Sequence, residues 1–93
     1  MKRELVIRLH AARRMMERDI SIDEIEHVLE TGDTIQNYED DTPFPSRLML
    51  GWPNNRPLHI VVADETDSNI THVITAYVPN PDQWDDGFKR RKK

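Results

Sequence analysis

The chain has 93 residues and a mass of 11.0 kDa, enough for one core and too few for two, so 1–93 is read as a single domain. It contains no cysteine, which excludes a disulfide framework, a thiolate zinc site and a cysteine nucleophile. The net charge of −4 argues against nucleic acid until its distribution is read: residues 1–18 hold six Lys or Arg, residues 19–46 hold nine Asp or Glu with no Lys or Arg, and residues 89–93 are KRRKK, so basic segments can meet on one face.

Lys2 and Arg3 precede interleaved charges rather than an apolar run of signal-peptide length, and no stretch approaches the roughly 18 apolar residues of a spanning helix. The expectation is a soluble, cytoplasmic protein with no membrane role.

Leu5, Leu9, Ala12 and Met16 recur at helical spacing and predict an amphipathic helix over about residues 4–18, with His10, Arg14 and Arg18 as a second stripe. Ser21-Ile22-Asp23-Glu24 is a capping box, and Ile20 and Ile25 hold hydrophobic-staple positions around it. A second helix is therefore expected from Ile22 to about Thr31, stopping at Gly32.

Beyond Gly32 the period falls to two. Thr34–Tyr38 reads as a short edge strand, and Pro43 and Pro45 break the loop that follows. Arg47–Trp52 and Leu58–Ala63 read as strands around Pro53-Asn54-Asn55-Arg56, whose asparagines tolerate positive φ. Ile70–Val78 is the next strand, reached through the polar turn Asp64–Asn69. Trp84 and Phe88, spaced i,i+4, suggest one short C-terminal helical turn before the basic tail 89–93, for which disorder is one expectation. The predicted fold class is α+β: two N-terminal helices on a three- or four-stranded antiparallel sheet.

If Ala63 opposes Thr71, His59 falls across from Thr75 and Val61 across from Val73. His59, Thr75 and Tyr77 then share one face. Leu58, Ile60, Val62, Ile70, Ile74 and Ala76 make the apolar face, with His72 among them.

The run H-A-A-R-R-M-M-E-R-D-I-S-I-D-E-I from His10 to Ile25, with P-S-R-L-M-L-G-W, L-H-I-V-V-A, I-T-A-Y-V-P-N-P and W-D-D-G-F-K-R-R, resembles over nearly the whole chain a widespread bacterial family classed as a domain of unknown function. That family is similar to the BrnT, RelE and MqsR ribonuclease toxins of toxin–antitoxin pairs, in which two helices precede a small antiparallel sheet. BrnT-like strands end in I-S-A-R where this chain reads Ile74-Thr75-Ala76-Tyr77, so a tyrosine stands at the arginine position. The resemblance implies a RelE/BrnT-like fold and a metal-independent endoribonuclease. RNA is then the substrate, with a cognate antitoxin encoded nearby as partner and a homodimer also compatible.

RNA cleavage without a metal needs a base for the 2′-OH, cations for the phosphate and an acid for the 5′-oxygen. The expected catalytic set is His10, Arg14, His59 and Tyr77. Arg13, Arg18, Lys89, Arg90 and Arg91 are expected to hold the phosphate backbone. Each has a plainer alternative: His10 as a seam residue, His59 as a hydrogen-bonded core histidine, Arg14 and Arg18 as partners of Glu26 or Glu30. Glu24 and His27 form a single E-x-x-H, short of a di-iron pattern, and phosphate-loop and serine-nucleophile motifs are absent, so no metal and no cofactor is expected. The rival function is a non-catalytic protein- or nucleic-acid-binding module, or an inactive toxin homologue, on the same fold.

Overall fold

The computed structural model describes residues 3–65 and 67–92; Lys2 and Lys93 of the two basic ends, and Thr66 of the polar turn, lie outside the described residues. The elements run β1 (Glu4–Ile7), α1 (Leu9–Arg18), α2 (Ile22–Thr31), β2 (Asp33–Tyr38), β3 (Ser46–Gly51), a short 3-10 turn (Pro53–Asn55), β4 (Leu58–Glu65) and β5 (Ile70–Tyr77). They build one five-stranded sheet in the order β1-β5-β4-β3-β2.

The sheet is mixed, which corrects the expectation of three or four antiparallel strands. β1 pairs with β5 in parallel, Glu4 opposite Ile70 and Ile7 opposite Val73, while the other pairs are antiparallel. Residues 4–7 form a strand and not the first turn of the expected helix, whose spacing Leu5 satisfies only by coincidence. Their Leu-Val-Ile run suits an extended edge strand. The helix begins at Leu9, and its buried residues are Ala11 and Met15. Leu9 and Met16, expected on the core side, are 67% and 85% exposed.

The second helix follows its sequence signals closely. Ser21 Oγ accepts from the Glu24 N–H at 3.1 Å and Glu24 Oε1 accepts from the Ser21 N–H at 3.0 Å, closing the capping box. Ile20 and Ile25 enter the core on either side of it. Gly32 ends the helix, although not by a left-handed turn: its φ is −79°. A Cβ there would stand 2.6 Å from the carbonyl oxygens of Leu50 and Val28, so close backbone approach is what requires glycine.

The helices cover one face of the sheet. Ile25 and Val28 meet Met49, Leu58, Ile60, Val62, Val73 and Ala76 there, each fully buried aliphatic side chain contributing about 1.5–3 kcal/mol. Asn54 and Asn55 both take positive φ in the connection between β3 and β4. On the same helix-facing side, past the helices, Arg47 and Thr71 both donate to the Asp64 carboxylate. Burial opposes the charged form of Asp64, but Thr71, Arg47 and Arg3 outweigh it and hold the carboxyl below its ordinary value.

The β4–β5 register differs from the expected one. His59 opposes Tyr77, Ile60 opposes Ala76 and Val61 opposes Thr75, after which a bulge leaves Ile74 unpaired and Val62 opposes Val73. A slip of two preserves faces, so His59, Thr75 and Tyr77 do share the outer face. Beyond the bulge the slip is one, and side chains exchange faces: Val73 joins the core, whereas His72, opposite Ala63, turns outward.

The C-terminal segment also departs from expectation. Instead of a helical turn, Trp84 forms an isolated β-bridge and Phe88 lies in a bend with a φ of 58°. Trp84 bridges Arg91, the Asp85 N–H donates to the Arg90 carbonyl at 2.9 Å and the Lys92 N–H to the Gln83 carbonyl at 2.9 Å. Residues 83–92 thus fold back on themselves and cover one end of the outer sheet face. Among the described residues no helix is long and apolar enough to cross a membrane.

Candidate functional site

The outer face carries two distinct histidine environments. His59 and His72 both project from it, but His72 is level with Ala63, four residues along β4 from His59. At about 3.3 Å per residue the two are roughly 13 Å apart along the strands.

The His59 end is sealed. His59 is 0% exposed, with Nε2 2.8 Å from the Phe88 carbonyl oxygen and Nδ1 3.1 Å from Tyr77 Oη. A carbonyl only accepts, so Nε2 carries a proton. Burial pushes the imidazole below its ordinary pKa; the Phe88 carbonyl pulls the other way and the nearby Arg91 charge adds to the lowering. The ring is therefore neutral near pH 7, and Nδ1 accepts from the Tyr77 hydroxyl. Burial, with Tyr38 nearby, pushes the Tyr77 hydroxyl up against a smaller opposite pull from Arg91, so it keeps its proton. The Trp84 ring meets His59 edge-on at 4.5 Å, and Arg91 lies 5.2 Å over Trp84. Three expected site residues, His59, Tyr77 and Arg91, do come together, but as a latch holding the C-terminal segment on the sheet. Both imidazole nitrogens are engaged, and no surface reaches a substrate.

The other end is open. A groove of about 320 Å³ lies where β1 gives way to α1, between that junction and the loop after β2. Arg8 and His10 enter from the junction, Asp41, Pro43 and Phe44 from the loop, and Ala63, His72 and Ile74 from the sheet. Arg8 is the N-cap of α1 and supplies no side-chain cap; α1 has no acidic residue in its first turn. The first-turn N–H groups of an α-helix have no intrahelical acceptor. An uncapped N-terminus beside Arg8 and His10 is a favourable setting for an anion.

His72 forms the floor. Phe44 stacks on it at 6.1 Å with planes 18° apart. Its Nε2 stands 3.3 Å from the Glu65 carboxylate, yet neither ring nitrogen has a partner in hydrogen-bond geometry among the described residues. Buried polar atoms are ordinarily hydrogen-bonded, so an imidazole whose two nitrogens are covered yet outside hydrogen-bond geometry, with only the Glu65 carboxylate beside it at the groove, is a group that the packing leaves unsatisfied.

The remaining expected residues lie elsewhere. Arg14 is exposed and 3.7 Å from Glu17 on its own helix rather than near α2. Arg13 and Arg18 are exposed on α1, and Arg90 is exposed on the C-terminal segment. Lys89 reaches Asp33 at 3.8 Å, both side chains largely solvated. The buried acid of α2, Glu24, takes Arg56 as its partner at 3.1 Å. Burial opposes its charge, but the Ser21 N–H and Arg56 outweigh that and lower its pKa. Glu24 is thus committed to structure and not free as a metal ligand beside His27.

Arg8 and His72 were not among the expected site residues. His72 carried a signal, being the one imidazole in an otherwise apolar alternation; a bulge that turns it outward has no comparable signature. No curated protein and no solved structure matches the chain. A family pattern does match, over residues 7–78, a span that includes Arg8, His10, His59, His72 and Tyr77 and stops before the C-terminal segment. The chain belongs to the family described as domain of unknown function DUF4258.

Proposed function

We propose that the protein is a toxin-like, metal-independent endoribonuclease whose acid–base pair is His10 and His72, with Arg8 and the N-terminus of α1 as the phosphate seat. The observation that carries this reading is the convergence of two imidazoles and a guanidinium on one groove. One imidazole removes the 2′-OH proton, the 2′-oxygen attacks phosphorus, the P–O5′ bond breaks, and the other imidazole protonates the departing 5′-oxygen. The product is a 2′,3′-cyclic phosphate. Arg8 offsets charge on the phosphoryl oxygens as the bond forms. Arg13, Arg14 and Arg18 extend a positive field along α1 that draws a polyanion toward the groove.

The test is incubation of purified protein with a defined RNA oligonucleotide in excess chelator. Cleavage to a cyclic phosphate is expected, abolished when the scissile nucleotide is 2′-deoxy, and weakening steeply as salt rises. Intact RNA under all conditions would reject the activity.

A second reading is favoured by one observation. Leu9, Met16 and Ile22 are exposed, the last two beside a groove of about 430 Å³ on the outer flank of α1. Such a patch suits protein contact. As a binding module the chain would use this flank; as a toxin it would offer it to an antitoxin carrying apolar and acidic residues, matched to the arginines of α1.

A further inference from the structure

Resting on the ribonuclease reading, the groove also has features that select a base. Opposite the cationic junction its wall is the loop residues Asp41, Pro43 and Phe44. Phe44 and the sheet residues Ala63 and Ile74 give it an apolar lining suited to the flat face of an unstacked base. Asp41 is exposed, but its carboxylate is not free to wander. The hydroxyl of Ser46, itself 4% exposed, donates to Oδ2 at 2.5 Å, and the Asp41 N–H donates to the Tyr38 carbonyl at 3.2 Å. Oδ1 is unclaimed among the described residues. A carboxylate pinned from behind and placed beside an aromatic wall is an acceptor-only reader.

A negative group in a phosphate-binding groove would be a liability unless it meets donors. Of the four bases, guanine alone offers adjacent N1–H and N2–H donors on its Watson–Crick edge. Uracil offers one N–H flanked by two carbonyls, which a carboxylate repels. Adenine and cytosine set a single amine beside a ring acceptor. We propose that Asp41 selects guanine, so that the groove takes an unpaired guanosine with its base against Phe44 and its phosphate at Arg8 and His10.

Binding can be read without cleavage. Titrations of 3′-GMP and 3′-UMP, followed by the amide signals of Asp41, Thr42, Phe44 and Ser46, are expected to give guanosine at least about 10-fold tighter binding, the scale of one good two-point contact. Asp41→Asn, an exposed change whose side-chain oxygen can still accept from Ser46, is expected to bring the ratio within about 2-fold while keeping phosphate-dependent shifts at Arg8 and His10. Ser46→Ala is expected to lower the ratio part-way, because the carboxylate is then unpinned. Equal affinities in the parent protein, or a ratio unmoved by Asp41→Asn, would overturn the assignment. Cleavage without base preference overturns it too and leaves the ribonuclease standing. Guanosine preference with intact RNA supports it and removes the enzymatic reading.

Discussion

Replacing His59 by alanine separates a structural from a chemical role for the most buried titratable side chain among the described residues. The ring has no exposure and makes two polar contacts, to Tyr77 Oη and to the Phe88 carbonyl. Each bond contributes about 0.5–1.5 kcal/mol, and removing the ring also leaves a hole that Trp84, edge-on at 4.5 Å, fills only in part. The expected loss is about 3–4 kcal/mol in total. For a domain of this size each kcal/mol moves the midpoint by about 4–8 °C, so Tm should fall by about 12–30 °C in calorimetry. His59→Gln is the informative companion. Its amide nitrogen can still donate to the Phe88 carbonyl, and about half of the loss should return. Amide exchange should meanwhile quicken at Asp85, Phe88 and Lys92, the donors that fold the C-terminal segment back, more than in α2. An alanine variant melting within about 3 °C of the parent would refute the latch, since two bonds and a buried ring cannot vanish at that little cost.

Other consequences are as specific. Gly51→Ala would set a Cβ 2.7 Å from Val28 Cγ2 and 3.1 Å from Val28 Cα, so urea unfolding should show a loss of about 1–3 kcal/mol; an unchanged midpoint would mean that α2 does not sit on β3 so closely. Ser21→Ala removes the side-chain acceptor of the capping box and should cost about 1 kcal/mol, read from the same transition. Stability should also fall with pH in two stages. His59 is lowered when folded, so the unfolded chain takes the proton first and the decline begins as pH drops below about 6.5; His59→Gln should lack this stage. Glu24 and Asp64 are likewise lowered, so their contribution is complete above the unfolded carboxylate range and is lost as pH falls through their folded values. Denaturation midpoints flat from pH 7 to 3 would contradict both.

Local signals in the sequence carried far, and long-range register did not. The capping box and staple at Ile20–Ile25 are short-range motifs whose geometry is written in adjacent residues, and α2 forms as they require. The asparagine turn before β4 and the shared face of His59 and Tyr77 follow from equally local patterns. The start of the chain misled because Leu5, Leu9, Ala12 and Met16 satisfy a helical period without all belonging to one helix. Only the pairing of β1 with β5, more than sixty residues apart in sequence, decides that Glu4–Ile7 is extended. The same limit hid the groove. The bulge at Ile74 moves His72 from the core to the outer face, and that one-residue change decides which histidine is held in hydrogen bonds and which lines the groove with His10.

The central claim is that exchange of roles. Single-turnover cleavage of one RNA oligonucleotide by three proteins, the parent, His72→Ala and His59→Gln, at a temperature where all are folded, tests it most directly. His72→Ala should be slower by about 100-fold or more, the usual worth of a positioned proton-transfer group, and His59→Gln should stay within about 3-fold of the parent. A normal rate for His72→Ala beside a collapse for His59→Gln would return the chemistry to the latch and contradict the assignment.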